Sequence, residues 1–293
     1  MDQAENLRLR VAGGKGIGVA SVEPLRVMAV TSGKGGVGKT MLTANLAVLG
    51  AKRGKRVLII DADLGLANIE IVFGAKPKRH LGDLLSPDVS MDDVLIEVKP
   101  GIHILPAASG IQQLTHLGEE EKLRLLAVLD GMADRFDLVL IDSGAGIGDN
   151  VLFFVGLAQE IVLVVTPEPT SLVDAYAAVK VLSQHMGLKD FGVVINSVVD
   201  EMAARDVFQK LVNLADRFLS VRIRHLGYVT RDENVHRAVM AQRPIADLFA
   251  QAPATRALNV IADRLFSMAP PPAVDGGMKL MWHRLFREAS VPR

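Results

Sequence analysis

Gly33-Lys34-Gly35-Gly36-Val37-Gly38-Lys39-Thr40 decides the fold of this 293-residue chain. The eight residues have the spacing of a phosphate-binding P-loop and set a second lysine, Lys34, just inside it. A loop this rich in glycine turns its backbone N–H groups inward around phosphate oxygens. Lys39 then brings a point charge to the β- and γ-phosphates, and Thr40 offers a hydroxyl to Mg²⁺. The surroundings make the motif specific. Residues 25–31 form an apolar, β-leaning run leading into the loop, and residues 41–50 continue with helix formers, which gives the strand, loop, helix order such a loop requires.

Further along, short β-branched runs alternate with longer helical patterns. The runs are residues 57–60, 102–105, 138–141, 161–165 and 192–195. This is the rhythm of βαβ units, and the near-continuous apolar character of most runs predicts parallel strands covered by helices on both faces. The expected architecture is an α/β P-loop domain with a mostly parallel sheet, its ligands bound at the C-terminal ends of the strands. Residues 119–133 and 171–186 carry apolar side chains at three- and four-residue spacing and read as core-facing helices.

Composition narrows the function classes. At 49% hydrophobic residues the chain buries a full core, and its 33 basic and 33 acidic side chains balance, which argues against bulk nucleic acid as the main partner. Cysteine is absent, so disulfides, iron–sulfur clusters and thiolate zinc sites are excluded. The histidines show no helical pair spacing that would make a zinc site, leaving Mg²⁺ as the expected metal. Residues 2–10 are charged and polar, unlike a secretion signal, and the apolar stretch at 151–165 is cut by Gln159-Glu160 and too short to span a bilayer. A cytoplasmic protein is expected.

Three carboxylates fall where a nucleotide-hydrolysing site needs them. Asp61 and Asp63 close the run at 57–60 and Asp142 closes the run at 138–141, so all three are expected to project toward the P-loop. One carboxylate holds Mg²⁺ through its water shell while another orients the attacking water. Asp142 suits the first role. Gly144, Ala145 and Gly146 supply backbone that approaches a terminal phosphate closely and moves when it leaves.

These motifs resemble the MinD/ParA family of deviant Walker ATPases. The likeness is carried by the Lys34-containing P-loop, by Asp61-Ala62-Asp63-Leu64-Gly65-Leu66-Ala67-Asn68 and by Asp142-Ser143-Gly144-Ala145-Gly146, which together span most of residues 25–268. Thr166-Pro167-Glu168-Pro169-Thr170-Ser171, followed by Asp174-Ala175-Tyr176, is similar to the flagellar-number regulators within that family. The N-terminal Asp2-Gln3-Ala4-Glu5-Asn6-Leu7-Arg8 resembles the activating motif by which those regulators stimulate FlhF, a GTPase of the signal-recognition-particle type, with Gln3 as the key residue.

The resemblance implies an ATPase that dimerises around ATP and Mg²⁺. Lys34 would reach across the dimer to the partner's phosphates, where developing charge needs fixed cationic compensation. Asp63 would position the attacking water, and Thr40, Asp61 and Asp142 would surround the metal. The nucleotide would lie on Gly33 through Thr40 and the adjoining Met41, with Asn196 recognising adenine. Gly144 stands where division-site MinD proteins usually carry proline, which favours the flagellar branch. A division-site ATPase, a ParA-type partition ATPase and a nucleotide-held scaffold are the competing readings.

The expected organisation is a short activator element and glycine-rich linker at residues 1–24, the ATPase domain at 25–268, and a proline-rich linker with an amphipathic helix at 269–293. On a helical wheel Met278, Met281, Trp282, Leu285, Phe286 and Ala289 cluster on one side. Lys279, His283, Arg284, Arg287 and Glu288 occupy most of the rest, a pattern suited to lying in the plane of an anionic membrane. MinD-type proteins carry a membrane-targeting helix at this end. The partners implied are thus a second copy of the chain, FlhF, the membrane surface and, as for some relatives, a flagellar transcription regulator.

Overall fold

The computed structural model describes residues 25–64, 68–107, 118–132 and 134–269. The expectations for Gln3 and the N-terminal element, for Gly65, Leu66 and Ala67, and for the amphipathic residues 278–289 lie outside the described residues.

Eight strands form one sheet: β1 (Arg26–Ser32), β2 (Val57–Ala62), β3 (Ile96–Lys99), β4 (Ile102–Leu105), β5 (Leu138–Ala145), β6 (Glu160–Val165), β7 (Asp190–Val198) and β8 (Arg222–Thr230). They lie in the order β3-β4-β2-β5-β1-β6-β7-β8, and all neighbours are parallel except the β3–β4 hairpin. The helices between them are α1 (Lys39–Ala51), α2 (Ile69–Val72), α3 (Met91–Val94), α4 (Glu119–Asp130), α5 (Asp149–Gly156), α6 (Pro169–His185), α7 (Glu201–Asp216), α8 (Glu233–Met240), α9 (Ile245–Leu248) and α10 (Pro253–Ser267). The predicted parallel α/β architecture is what the chain adopts.

Each face of the sheet has its own core. On one side Leu58, Ile60, Val139, Ile141 and Leu163 pack beneath α4, α5, α6 and α7 through Leu125, Phe154, Val179 and Leu211. On the other, Met28, Val30, Ile59 and Leu140 pack beneath α1, α9 and α10 through Leu46, Ile245 and Leu258. β1, β2 and β6 are buried along their whole length, which explains why they read as uninterrupted apolar runs. β1 lies at the centre, where the chain turns to fill the two halves of the sheet in opposite directions. The loop after it opens into the crevice where such sheets take their ligands.

A buried ion pair fixes the opposite end of β1. The Arg26 guanidinium donates to both carboxylate oxygens of Glu160 at 2.8 Å from Nη2, and its Nη1 reaches the carbonyls of Phe266 and Met268 at 3.4 and 3.3 Å. The C-terminal end of α10 is thereby tied to the central strands. Losing either charge alone would strand its partner in the core.

Candidate nucleotide-binding site

Two glycines of the loop have no substitute. Gly38 sits at φ 98° immediately before α1, and a Cβ there would lie 2.4 Å from the side-chain nitrogen of Asn196. A Cβ on Gly33 would lie 2.0 Å from the Asp174 carbonyl oxygen of α6. The loop is therefore pressed between β7 and α6 at distances that only a bare backbone permits.

The two lysines of the loop differ in disposition. Lys39, only 7% exposed, points inward and donates from Nζ to Ser32 Oγ at 3.1 Å. Burial pulls its pKa down, against the opposing charges of Asp142 and Asp63. Lys34 turns outward, its side chain 37% exposed, and pairs with the Glu168 carboxylate and with Thr170 Oγ1 at 3.1 Å, both at the start of α6.

The sheet register brings the carboxylates together. Asp61 on β2 lies opposite Asp142 on β5, and Asp142 lies opposite Val30 on β1. Asp142 is buried and accepts hydrogen bonds from the hydroxyls of Thr40 and Thr43, the latter at 3.2 Å. Asp61 spends its oxygens on the loop that follows: Oδ1 accepts from the Asp63 N–H at 3.0 Å, and Oδ2 from those of Asn68 and Ile69 at 3.1 and 3.2 Å. Asp61 thus anchors the turn that carries Asp63 and starts α2. Asp63 itself is half-buried and faces Gly144, where a Cβ would come within 3.7 Å of its Oδ1.

Asn196 donates from Nδ2 to the Val37 carbonyl at 2.7 Å and accepts from the Ser197 N–H at 2.9 Å. Ser197 adopts φ 59°, a left-handed conformation costly for a non-glycine residue, beside the site. Gly146 closes the opposite wall by donating its N–H to the Ser32 carbonyl at 3.0 Å.

Ser32 and Thr43 are contributors that pattern reading passed over, and Glu168 and Thr170, singled out above only for their likeness to the flagellar branch, prove to pair with Lys34. Thr43 is one turn beyond Lys39 on α1, so helical spacing alone would have placed it beside the loop. The Glu168 contact carries no such signal, because 134 residues separate it from Lys34.

The donors suit Mg²⁺. The Thr40 hydroxyl and the Asp142 carboxylate are hard oxygen ligands, and Asp142 sits in a buried place that lacks sufficient positive charge. Burial pushes its pKa up to about 6 despite the hydroxyl donors and Lys39. Burial, and then Asp142, also hold Asp61 well above the ordinary carboxylate range. Thr40 and Asp142 would hold the ion, which when bound neutralises phosphate charge.

The same imbalance predicts a pH-dependent stability. In the native apoprotein Asp142 keeps its proton to about pH 6, whereas the unfolded carboxyl loses it above its ordinary 3.8. Between those values the native state binds more protons, so stability falls as pH rises. Without nucleotide or Mg²⁺, Asp142→Asn should therefore stabilise the domain above pH 6 by roughly 1–3 kcal/mol, a gain that vanishes near pH 4. Thermal unfolding across this range tests it; a difference in Tm that is the same at every pH would contradict the assignment.

The family of the CobQ/CobB/MinD/ParA nucleotide binding domain matches residues 28–245. The chain is 40% identical over 273 residues to the antiactivator FleN of Pseudomonas aeruginosa, covering 93% of this chain and 98% of that protein. It is 31% identical over 271 residues to the flagellum site-determining protein YlxH of Helicobacter pylori, covering 89% and 90%. Among solved structures, MinD of Pyrococcus horikoshii in complex with Mg-ADP superposes with a TM-score of 0.69 at 25% identity, over 83% of this chain and 96% of that one. A chain of the MinC:MinD cell division protein complex of Aquifex aeolicus gives 0.70 at 29% identity, over 84% and 97%.

Proposed function

The chain belongs to the CobQ/CobB/MinD/ParA nucleotide-binding family, in its FleN-type flagellar branch, and on that premise we propose that it is an ATPase switch that sets flagellar number and placement. ATP and Mg²⁺ drive dimerisation, the dimer favours the membrane, and hydrolysis returns the monomer. The observation that carries this reading is the contrast between the two loop lysines. Lys39 is buried among the carboxylates of its own site, while Lys34 leaves that site for the surface. That outward turn supports a role for Lys34 toward a neighbouring subunit's phosphates, which would make hydrolysis conditional on association.

Within this scheme Thr40, Asp61 and Asp142 serve the metal region. Asp63 orients water, and residues from Gly33 to Met41 together with Asn196 bind the nucleotide. The ATPase domain spans residues 25–268. Residues 1–24, through Gln3, stimulate an FlhF-type GTPase, and residues 278–289 bind an anionic bilayer from the cytoplasmic side. No helix among the described residues is long and apolar enough to cross a membrane. A flagellar transcription regulator is a further candidate partner.

The experiment is a count of flagella in a deletion strain complemented with wild type or Lys39→Ala. Wild type should restore the normal number and Lys39→Ala should not. A displaced septum with unchanged flagella would point to the division-site reading.

A further inference from the structure

β8 is the outer strand of the sheet, separated from β1 by β6 and β7. A cleft of about 550 Å³ runs along its outer edge, walled by α7 on one face and α10 on the other. That volume is typical of small-molecule sites. The strand is irregular here: the register with β7 slips between His225 and Gly227, leaving Leu226 as the extra residue of a bulge. Bulges re-aim side chains, and this one turns the strand edge into the cleft floor.

The lining is strongly basic. Arg205 of α7 and Arg256 and Arg264 of α10 face it, with Glu201 as its single acidic side chain. Each guanidinium is anchored by one hydrogen bond: Arg205 to the Glu201 carboxylate at 2.6 Å, Arg256 to the Gln251 carbonyl at 2.6 Å and Arg264 to the Leu226 carbonyl at 3.0 Å. The remaining donors of each fork are left for the cleft. His225 lines the same cleft, its ring fixed against Phe208 at 4.9 Å between centroids, and burial and then the charge of Arg264 hold its pKa below the ordinary value. Tyr228 adds a phenol to the same wall.

We infer that this cleft is a second oxyanion site, remote from the P-loop, that takes a small molecule carrying two or more phosphate or carboxylate groups. Guanidinium forks match both groups in bidentate geometry, and three of them exceed what one carboxylate of the protein neutralises. A ligand here would bridge α7, β8 and α10. It would therefore act on the strand next to the one that holds Asn196.

The test is calorimetric titration of the full-length protein, its P-loop saturated with ADP, with inorganic pyrophosphate and in a parallel arm with citrate. At least one anion should bind at one site per chain, and the stronger arm identifies the group. Arg205→Gln/Arg256→Gln should weaken that binding at least tenfold while leaving ADP affinity within twofold of wild type, which also reports an intact fold. Absence of binding by both anions, or binding unchanged in the double variant, would overturn the inference.

Discussion

Asp63→Ala protein should bind ATP nearly as well as wild type, turn it over at least about a hundredfold more slowly, and accumulate as a dimer. The scale is that of removing a positioned catalytic carboxylate. Asp63 lies close enough to Lys39 and Asp142 for its charge to act on both. The phosphate cradle is shaped by the close approach of Gly33 to α6 and of Gly38 to Asn196, so the loss of Asp63 should spare it. Asp61 is the contrasting case. Its oxygens hold the Asp63, Asn68 and Ile69 N–H groups, so Asp61→Ala should disorder the loop as well as slow turnover. Phosphate release measured beside equilibrium ATP binding separates the two. An Asp63→Ala protein that hydrolyses at the wild-type rate would remove the role assigned to it.

The second large effect concerns the membrane. In the helix expected from the sequence pattern, Trp282 and Phe286 would fall one turn apart on the apolar side, and burial of a large side chain is worth roughly 1.5–3 kcal/mol. Trp282→Glu/Phe286→Glu should then weaken binding to anionic vesicles by a factor of ~100 or more. A single short amphipathic helix binds marginally, whereas two held together bind through effective concentration, so on the proposed scheme nucleotide state would control residence without altering the helix. In co-sedimentation, wild type with ATP should pellet, and both wild type with ADP and the double variant should stay in solution. A double variant that pellets like wild type would remove the stretch from the membrane account.

What the sequence disclosed follows from burial. β2, β4, β5, β6 and β7 were legible as apolar runs because helices cover both sides of the sheet there. β3 and β8 were not: Glu97 and Lys99 on one, Arg222 and Arg224 on the other, interrupt the hydrophobic signal, as is usual for strands at a sheet's margins. The convergence of Asp61 and Asp142 could be anticipated, since residues closing parallel strands share one edge. That Asp61 would be occupied by the N–H groups of Asp63, Asn68 and Ile69 could not, because those contacts are set by tertiary placement and not by local pattern. The outward turn of Lys34 toward Glu168 depends likewise on α6 packing against Gly33, a contact made by tertiary structure and not by local pattern.

The central claim is that Lys34 completes an ATP-dependent dimer in trans while Lys39 serves its own subunit. The most direct measurement is the solution mass, by light scattering with ATP and Mg²⁺, of Asp63→Ala beside Asp63→Ala/Lys34→Ala, with nucleotide binding followed in the same samples. The account predicts a dimer for the first and a monomer for the second, both still binding ATP. A double variant that dimerises as the single one does, or that loses ATP as completely as Lys39→Ala, would contradict it.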